Sequence, residues 1–564
     1  MVASASYGDD CASGARDAFD DVHFDCVEYQ SNYSSHWRGF ALSAQQALFC
    51  RDAGGLWACR VHVLCGGSNL VSRARASHAF VVGNMSNQSL ATRAVRGAFW
   101  TGSGLGVHLI VTLIFFRILN LEDMGYFIWA QRVLVLFQMV GVLGLNDALI
   151  KYQDASRIHF SSAFWACLFV GIALFVGFIA SEWLLIIWLG RTPNIAAFFD
   201  IAKPMALIIP LASVSGIVKA ILARDLRFQS IAISEMAAAL IAAIVGIGLL
   251  IGGWGIKSAV WNAITREIAL LGGLWIAAAW MPSLSFSWAK LKALLPFGFN
   301  VSGANLLNNI NNNLDKVYFV PVLLGPVAAG LYAFAYQYTM VPLNRASVVL
   351  TRVIFPAFSV VQRNNQTLRR GYTRTITAIA LLSWPALIGG FIYGREILLL
   401  VKGEEMLPAL NPLRLLILAG MLKAVGTVVG SVFLAKGKAN WSFRWTLVNL
   451  IVFVPALYWG VRYGIDGIAA VLSAAAVLFL VVTQILVNRL IDLRMIDYFK
   501  SFVGPFLTTL WVAVALVAVR SLTDLKPVEA LLLGAVIGSI AYAFAVRLFA
   551  WAFVMRFWRD FRGQ

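Results

Sequence analysis

Residues 160–181 read FSSAFWACLFVGIALFVGFIAS, a 22-residue run with no charged side chain between His159 and Glu182. Wound into an α-helix at about 1.5 Å per residue, such a run is roughly 33 Å long. That length matches a hydrocarbon core about 30 Å thick. A helix pairs its own peptide groups internally, which removes the cost of carrying them into lipid. Similar apolar runs recur from Trp100 almost to the C-terminus, and the alternating ten-residue segments of a lipid-facing barrel are not found. The composition agrees: of 564 residues, 60% are hydrophobic and only 13% charged, with a mean hydropathy of +0.78. A soluble domain of this size needs a far more charged surface.

The expected fold is therefore all-α and integral to the membrane, with about 14 transmembrane helices. Spans are placed near 97–118, 125–149, 160–188, 199–222, 230–251, 256–280, 295–323, 327–349, 374–401, 409–434, 442–461, 465–488, 501–520 and 528–550. The net charge of +18 follows from basic loops rather than from nucleic-acid binding, since Lys and Arg accumulate on the cytoplasmic side. Arg93, Lys151, Arg224, Lys290, Arg370, Lys438, Arg494 and Arg559 share one side. The expected topology is multi-pass, with both termini in the cytoplasm.

Residues 1–84 do not conform. They carry five of the six Cys and four of the six His, yet no run of membrane length and no signal-peptide core. The group Cys50, Cys59, His62 and Cys65 does not follow a familiar zinc spacing, so no metal and no cofactor is expected. The expectation is that the segment is disordered and that Met85 is the natural start, followed by a short basic lead into the first span. The remaining domains are expected as 85–290 for an N-lobe, 291–494 for a C-lobe, and 495–564 for two further helices and a tail.

The lobes rest on a weak internal repeat. Leu119-Asn-Leu-Glu-Asp-Met-Gly125-Tyr-Phe-Ile-Trp-Ala130 reappears as Leu324-Gly-Pro-Val-Ala-Ala-Gly330-Leu-Tyr-Ala-Phe-Ala335. Further echoes pair Ala223–Phe228 with Ala435–Asn440 and Gly252–Ile256 with Tyr463–Ile468. An even number of crossings lies between partners, which preserves orientation. Two six-helix lobes related by a pseudo-twofold along the membrane normal follow, plus two C-terminal helices.

With Phe116-Arg-Ile-Leu-Asn-Leu-Glu-Asp-Met-Gly-Tyr-Phe127, Leu222-Ala-Arg-Asp-Leu-Arg-Phe228 and Asn313-Leu-Asp-Lys-Val-Tyr-Phe319 in order, the chain resembles the polysaccharide transporter family. These are the Wzx-type, colanic-acid-exporter-like flippases of the multidrug/oligosaccharidyl-lipid/polysaccharide exporter superfamily. The resemblance covers essentially Met85 to the C-terminus. It implies translocation of an undecaprenyl-pyrophosphate-linked oligosaccharide by alternating access, for exopolysaccharide, capsule or O-antigen synthesis. The implied partners are that lipid-linked substrate and membrane lipid, a polymerase and a chain-length regulator of the same pathway, and a coupling ion, H⁺ or Na⁺. No nucleic-acid partner is implied.

Polar residues inside spans are costly and are candidates for function by default. Asn305, Asn308, Asn309, Asn312 and Lys316 fall at i, i+3, i+4, i+7 and i+11, one stripe on the seventh span. Gln337, Asn344 and Arg345 follow on the eighth, with Tyr332 and Tyr336 nearby; Arg132 lies in the second span, Lys219 in the fourth and Arg266 beside Glu267 in the sixth. Arg132, Arg266, Lys316 and Arg345 are assigned to a pyrophosphate headgroup, for which Arg offers a fork and Lys a point charge. The amides suit the sugars. Adjacent helix positions point about 100° apart, so Asp315 is expected to pair elsewhere and to leave Lys316 available. His108 shares a face with Thr101 and Thr112 and is read as a helix contact. Pro204, Pro210, Pro342, Pro385 and Pro455 are expected to bend their spans.

Two other functions compete. A cation-coupled multidrug exporter of the same superfamily would need a smaller, more apolar pocket. A polysaccharide polymerase or glycosyltransferase would need a sizeable external loop, and no loop after Met85 is long enough; nor is there a nucleotide-binding motif. A transporter without catalytic residues is the expectation.

Overall fold

In a computed structural model of the protein, the residues described are 48–52, 55–59, 106–152, 154–189, 193–340, 358, 364–523, 525–551 and 553–555. The chain divides into two units, Met1–Ser89 and Leu90–Gln564.

In the first unit an antiparallel hairpin joins β1 (Leu48–Asp52) to β2 (Gly55–Cys59), with Leu48 opposite Cys59 and Asp52 opposite Gly55. The rest of residues 1–84, expected as disordered, lies outside the described residues. The sequence carries the hairpin signal in small form: the apolar pairs Leu48-Phe49 and Leu56-Trp57 stand on either side of a stretch that holds two adjacent glycines.

The second unit is helical among its described residues. The first half holds α1 (Gly106–Ile118), α2 (Leu121–Gly141), α3 (Leu145–Lys151), α4 (Arg157–Leu189), α5 (Pro193–Met205), α6 (Ile208–Arg224), α7 (Phe228–Ile251) and α8 (Ile256–Ala278). Then come α9 (Trp288–Leu314), a π-helical turn (Asp315–Phe319), one α turn (Val320–Leu323) and α10 (326–340). The second half holds α11 (Asn365–Ile392), α12 (Gly394–Lys402), α13 (Leu410–Gly426), α14 (Val429–Ala435), α15 (Ala439–Gly460), α16 (Gly464–Ile491), α17 (Met495–Leu522) and α18 (Pro527–Ala545), which ends in a π-helical turn (Val546–Ala550).

Among the described residues eight helical segments are long and apolar enough to cross a membrane, and α2 with α3, bent by 44°, makes a ninth. Two of the eight, Gly394–Phe433 with 40 residues and Thr446–Ile491 with 46, are broken by 3₁₀ turns at Gly403–Ala409 and Val461–Tyr463. At about 1.5 Å per residue each exceeds one hydrocarbon thickness.

The breaks have local causes. Between α2 and α3, Leu143 (φ 53) and Gly144 (φ 64) are both left-handed, a conformation that costs Leu and suits Gly. A Cβ on Gly144 would stand 2.2 Å from the Gly298 carbonyl oxygen of α9, so the bend also admits a backbone crossing. The expected fourth span is divided between α5 and α6, with Pro204 before the break and Pro210 after it. The expected ninth span, 374–401, proves to be two elements: α11 ends at Ile392 and α12 starts at Gly394. Pro385 and Pro455 lie inside α11 and α15; Pro342 lies outside the described residues.

Packing falls into two groups. In the first, α2 lies against α5 and α6, α4 against α6, and α8 against both α6 and α7; in the second, α11 lies against α13 and α17, α13 against α16, and α17 against α18. Helix α9 packs on α2, α3 and α4 and also on α15 of the second half. The helix expected to open the C-lobe is thus a shared wall.

Candidate functional site: the polar end of α9

Ser302 donates to the Met139 carbonyl oxygen at 3.2 Å, which turns that side of α9 toward α2. At 100° per residue Asn309 and Asn313 fall on the same side, and both are half-buried. Asn305, Asn308 and Asn312 stand about a quarter turn away and are exposed. The amides are partly engaged within their own helix: Asn312 Nδ2 donates to the Asn308 carbonyl oxygen at 2.8 Å, and Asn313 Nδ2 to that of Asn309 at 3.0 Å. The expected stripe is therefore two rows, one against α2 and one open.

Helical order changes at Asp315. Pro321 has no N–H to give the Val317 carbonyl four residues earlier. The Trp129 indole Nε1 of α2 donates to that oxygen instead, at 2.9 Å. Orphaned carbonyls inside a bundle need such partners. Over the same residues, Asp315–Phe319, the helix is π-wound, and its wider turn brings consecutive side chains closer in azimuth.

The consequence corrects the sequence expectation for Lys316. Its Nζ donates to Asp315 Oδ1 at 2.8 Å, to Asp315 Oδ2 at 3.1 Å and to the Asn312 carbonyl oxygen at 2.8 Å, and sits 3.7 Å from the centroid of the Tyr336 ring. Both charged groups are buried, Asp315 at 1% and Lys316 at 5% exposure. Tyr332, from α10, donates its hydroxyl to Asp315 Oδ2 at 2.7 Å. Lys316 thus spends its ammonium protons on its own neighbour and helix, where the spacing rule had left it available.

Arg132 of α2 lies within electrostatic range of Asp315, Tyr336 and Lys316, so two of the four assigned cations come near one another. Its Nε is buried and has no hydrogen-bond partner. Arg266 does not join: it is exposed on α8, beside Glu267, which accepts from Ser215 Oγ at 3.1 Å. Lys219 is paired with Glu235 at 2.5 Å. Gln337 reaches α1, where its Nε2 lies 3.4 Å from Thr112 Oγ1, and Thr112 in turn donates to the His108 carbonyl oxygen at 2.8 Å. Asn344 and Arg345 lie outside the described residues.

Two features escaped sequence reasoning. The Trp129–Val317 contact needs a third dimension, although a proline four residues after Val317 was a signal that its carbonyl would seek a partner. The buried chain from Tyr372 to Gln484 (2.7 Å) and from Gln484 to Asn488 (2.7 Å) was foreshadowed by two amides at i and i+4 in the apolar α16.

The two repeat segments also meet. A Cβ on Gly330 would lie 2.7 Å from the Leu121 carbonyl oxygen. Phe116 and Phe334 pack edge to face at 5.2 Å. Near the end of α1, Lys402 Nζ donates to the Leu119 carbonyl oxygen at 2.7 Å, and Arg117 donates to the Leu400 carbonyl oxygen. Two charged side chains thus tie the first and second halves together at one end of the bundle.

Residues 114–411, more than half of the chain, match the family described as polysaccharide biosynthesis protein. The chain is similar to the teichuronic acid biosynthesis protein TuaB of Bacillus subtilis, 25% identical over 476 residues that cover 81% of this chain and 95% of TuaB. It is also similar to the lipopolysaccharide biosynthesis protein WzxC of Escherichia coli, 24% identical over 391 residues, 66% of this chain and 76% of WzxC. Among solved structures, the lipid II flippase MurJ in an inward closed conformation matches with a TM-score of 0.66 over 83% of this chain and 98% of MurJ. At 15% identity that likeness shows the fold alone.

Proposed function

We propose, on the premise that the chain belongs to the polysaccharide biosynthesis protein family, that it is a flippase for a lipid-linked oligosaccharide. The substrate is an undecaprenyl-pyrophosphate-linked glycan, moved from the cytoplasmic to the periplasmic leaflet of the bacterial inner membrane by alternating access of two lobes. Fourteen crossings with both termini in the cytoplasm complete this reading, and a proton or sodium ion couples the cycle. A polymerase and a chain-length regulator use the product.

The observation that carries the reading is Arg132: a guanidinium inside a span whose buried Nε has no partner, next to the Asp315–Lys316 pair. A cation left incompletely satisfied at membrane depth is costly unless an anion visits it. Arg132 binds a phosphate of the headgroup in its fork. Lys316 adds its charge once Asp315 is displaced, and Asn305, Asn308 and Asn312 face the sugars. Arg266 and Arg345 are assigned to the path of the headgroup rather than to this cluster.

The test is flipping of a fluorescent undecaprenyl-pyrophosphate oligosaccharide in proteoliposomes. A charge-assisted hydrogen bond is worth about 1.5–3 kcal/mol, so Arg132→Gln slows flipping about tenfold to a hundredfold while the melting temperature stays near that of the parent protein. An unchanged rate removes Arg132 from the headgroup site and with it the main support for this reading.

A further inference from the structure

Away from α9, a cavity of about 370 Å³ opens between α11, α17 and the π-helical end of α18. Its lining includes the cations Arg374 and Lys500, the hydroxyl residues Thr373 and Ser501, and the aromatic Phe549 and Phe553. We propose that this cavity binds the head group of an anionic phospholipid in the leaflet at the basic end of the bundle.

Two backbone irregularities build the cavity. Pro505 inside α17 leaves the Ser501 carbonyl without its helical donor, and Thr377 Oγ1 of α11 donates to that oxygen at 2.9 Å. The π-helical turn Val546–Ala550 widens α18 at the same level; such turns are rare and cluster at functional sites. Gly504 lines the cavity, and a Cβ there would be in contact with the Phe549 carbonyl oxygen at 3.4 Å, so a larger side chain at this position would occupy the space.

Charge and surroundings specify the occupant. No acidic side chain lines the cavity among the described residues, while Arg374 and Lys500 supply two positive charges. Arg369, Arg370 and Arg494 lie at the same helix ends. Basic pockets between transmembrane helices on the cytoplasmic side suit lipid head groups. The adjoining face of α18 and its extension exposes Val536, Ile540, Phe544 and Leu548, a track for acyl chains that a soluble anion would not need. The volume suits a glycerophosphate rather than a glycan of several sugars. The site is independent of the transported substrate, because α9 and its Asp315–Lys316 pair pack on α2, α3, α4 and α15 instead.

The experiment is thermal unfolding of the purified full-length chain in neutral detergent, titrated separately with phosphatidylglycerol, phosphatidylcholine, undecaprenyl phosphate and inorganic phosphate. Phosphatidylglycerol is expected to raise the melting temperature by several degrees in a saturable manner, and phosphatidylcholine and inorganic phosphate are not. The double variant Arg374→Gln/Lys500→Gln loses the shift. Gly504→Leu, which fills the cavity and keeps both charges, loses it too and reads the site if the double variant does not fold. Lys438→Gln, at the same end but outside the cavity, keeps it. An equal shift with phosphatidylcholine or inorganic phosphate overturns the proposal. So does a shift with undecaprenyl phosphate alone, or a phosphatidylglycerol shift that survives Gly504→Leu.

Discussion

Gly125 and Pro326 meet backbone to backbone: a Cβ on Gly125 would stand 1.8 Å from the Pro326 carbonyl oxygen. The reciprocal approach, Gly330 against the Leu121 carbonyl, is at 2.7 Å. Each repeat copy therefore uses its glycine to press against the turn that opens the other copy. The clash is with main chain, so no rotamer change relieves it, and the helices themselves must separate.

Gly125→Ala is accordingly expected to lower the melting temperature more than Gly330→Ala, with costs in the range of about 1–3 kcal/mol typical of overpacking. Gly303→Ala in α9, where nothing lies within 4 Å, is the control and costs nothing. Thermal unfolding of the three variants decides; a Gly125→Ala protein as stable as Gly303→Ala contradicts the observed crossing.

The Asp315–Lys316 pair predicts strong asymmetry between single and double substitution. Asp315→Asn removes the counter-charge and leaves the buried ammonium facing a neutral amide, the Asn312 carbonyl and the Tyr336 ring, and breaking a buried pair this way costs about 3–5 kcal/mol. Asp315→Leu/Lys316→Met removes both charges and is expected to recover most of that stability. If the double variant melts no higher than Asp315→Asn, the pair is not the energetic unit described.

Trp129→Phe deprives the Val317 carbonyl of its donor, at a cost of about 0.6–1.7 kcal/mol for an interhelical hydrogen bond in a membrane bundle. Pro321→Ala returns an N–H to the helix and supplies that carbonyl from within. The two substitutions should therefore couple: Trp129→Phe is expected to cost less in a Pro321→Ala background than alone. A double-mutant cycle on melting temperatures measures this, and strictly additive effects would dissociate the indole from the proline.

The same logic extends to Thr377→Val. Its Oγ1 is shared between the Thr373 carbonyl of its own helix and the Ser501 carbonyl that Pro505 orphans, so this near-isosteric change is expected to lower stability by a comparable amount. Ser383→Ala, whose hydroxyl bonds only its own helix at the Ile379 carbonyl oxygen, is expected to have little effect on the same measurement.

Most of the architecture was legible in the residues. Uncharged runs such as 160–181 become helices because a peptide group in hydrocarbon has no other partner, and that argument uses length and composition alone. The echo of Leu119–Ala130 in Leu324–Ala335 pointed to segments that do meet. The polar identity of α9 and the cost of placing Arg132 within a span were readable for the same reason: amides and cations at membrane depth are expensive wherever they point. The hairpin at 48–59 was passed over because its two apolar runs are short.

What a helical wheel could not say is which polar groups satisfy one another. Regular spacing put Asp315 and Lys316 on diverging directions, yet Pro321 and a π-helical turn bring them into contact, and an indole from another helix serves the carbonyl left over. Likewise the sequence counts Arg266 and Arg132 alike, while packing sends one to an exposed face and half-buries the other, its Nε enclosed. The chain by itself determined that it crosses the membrane many times and carries cations inside, because transfer free energy is a local property of side chains and peptide groups. Which cations are neutralised and which stand open was decided by the tertiary structure, because hydrogen-bond partners three hundred residues apart or one turn away compete for the same few protons and only the packed bundle fixes their distances.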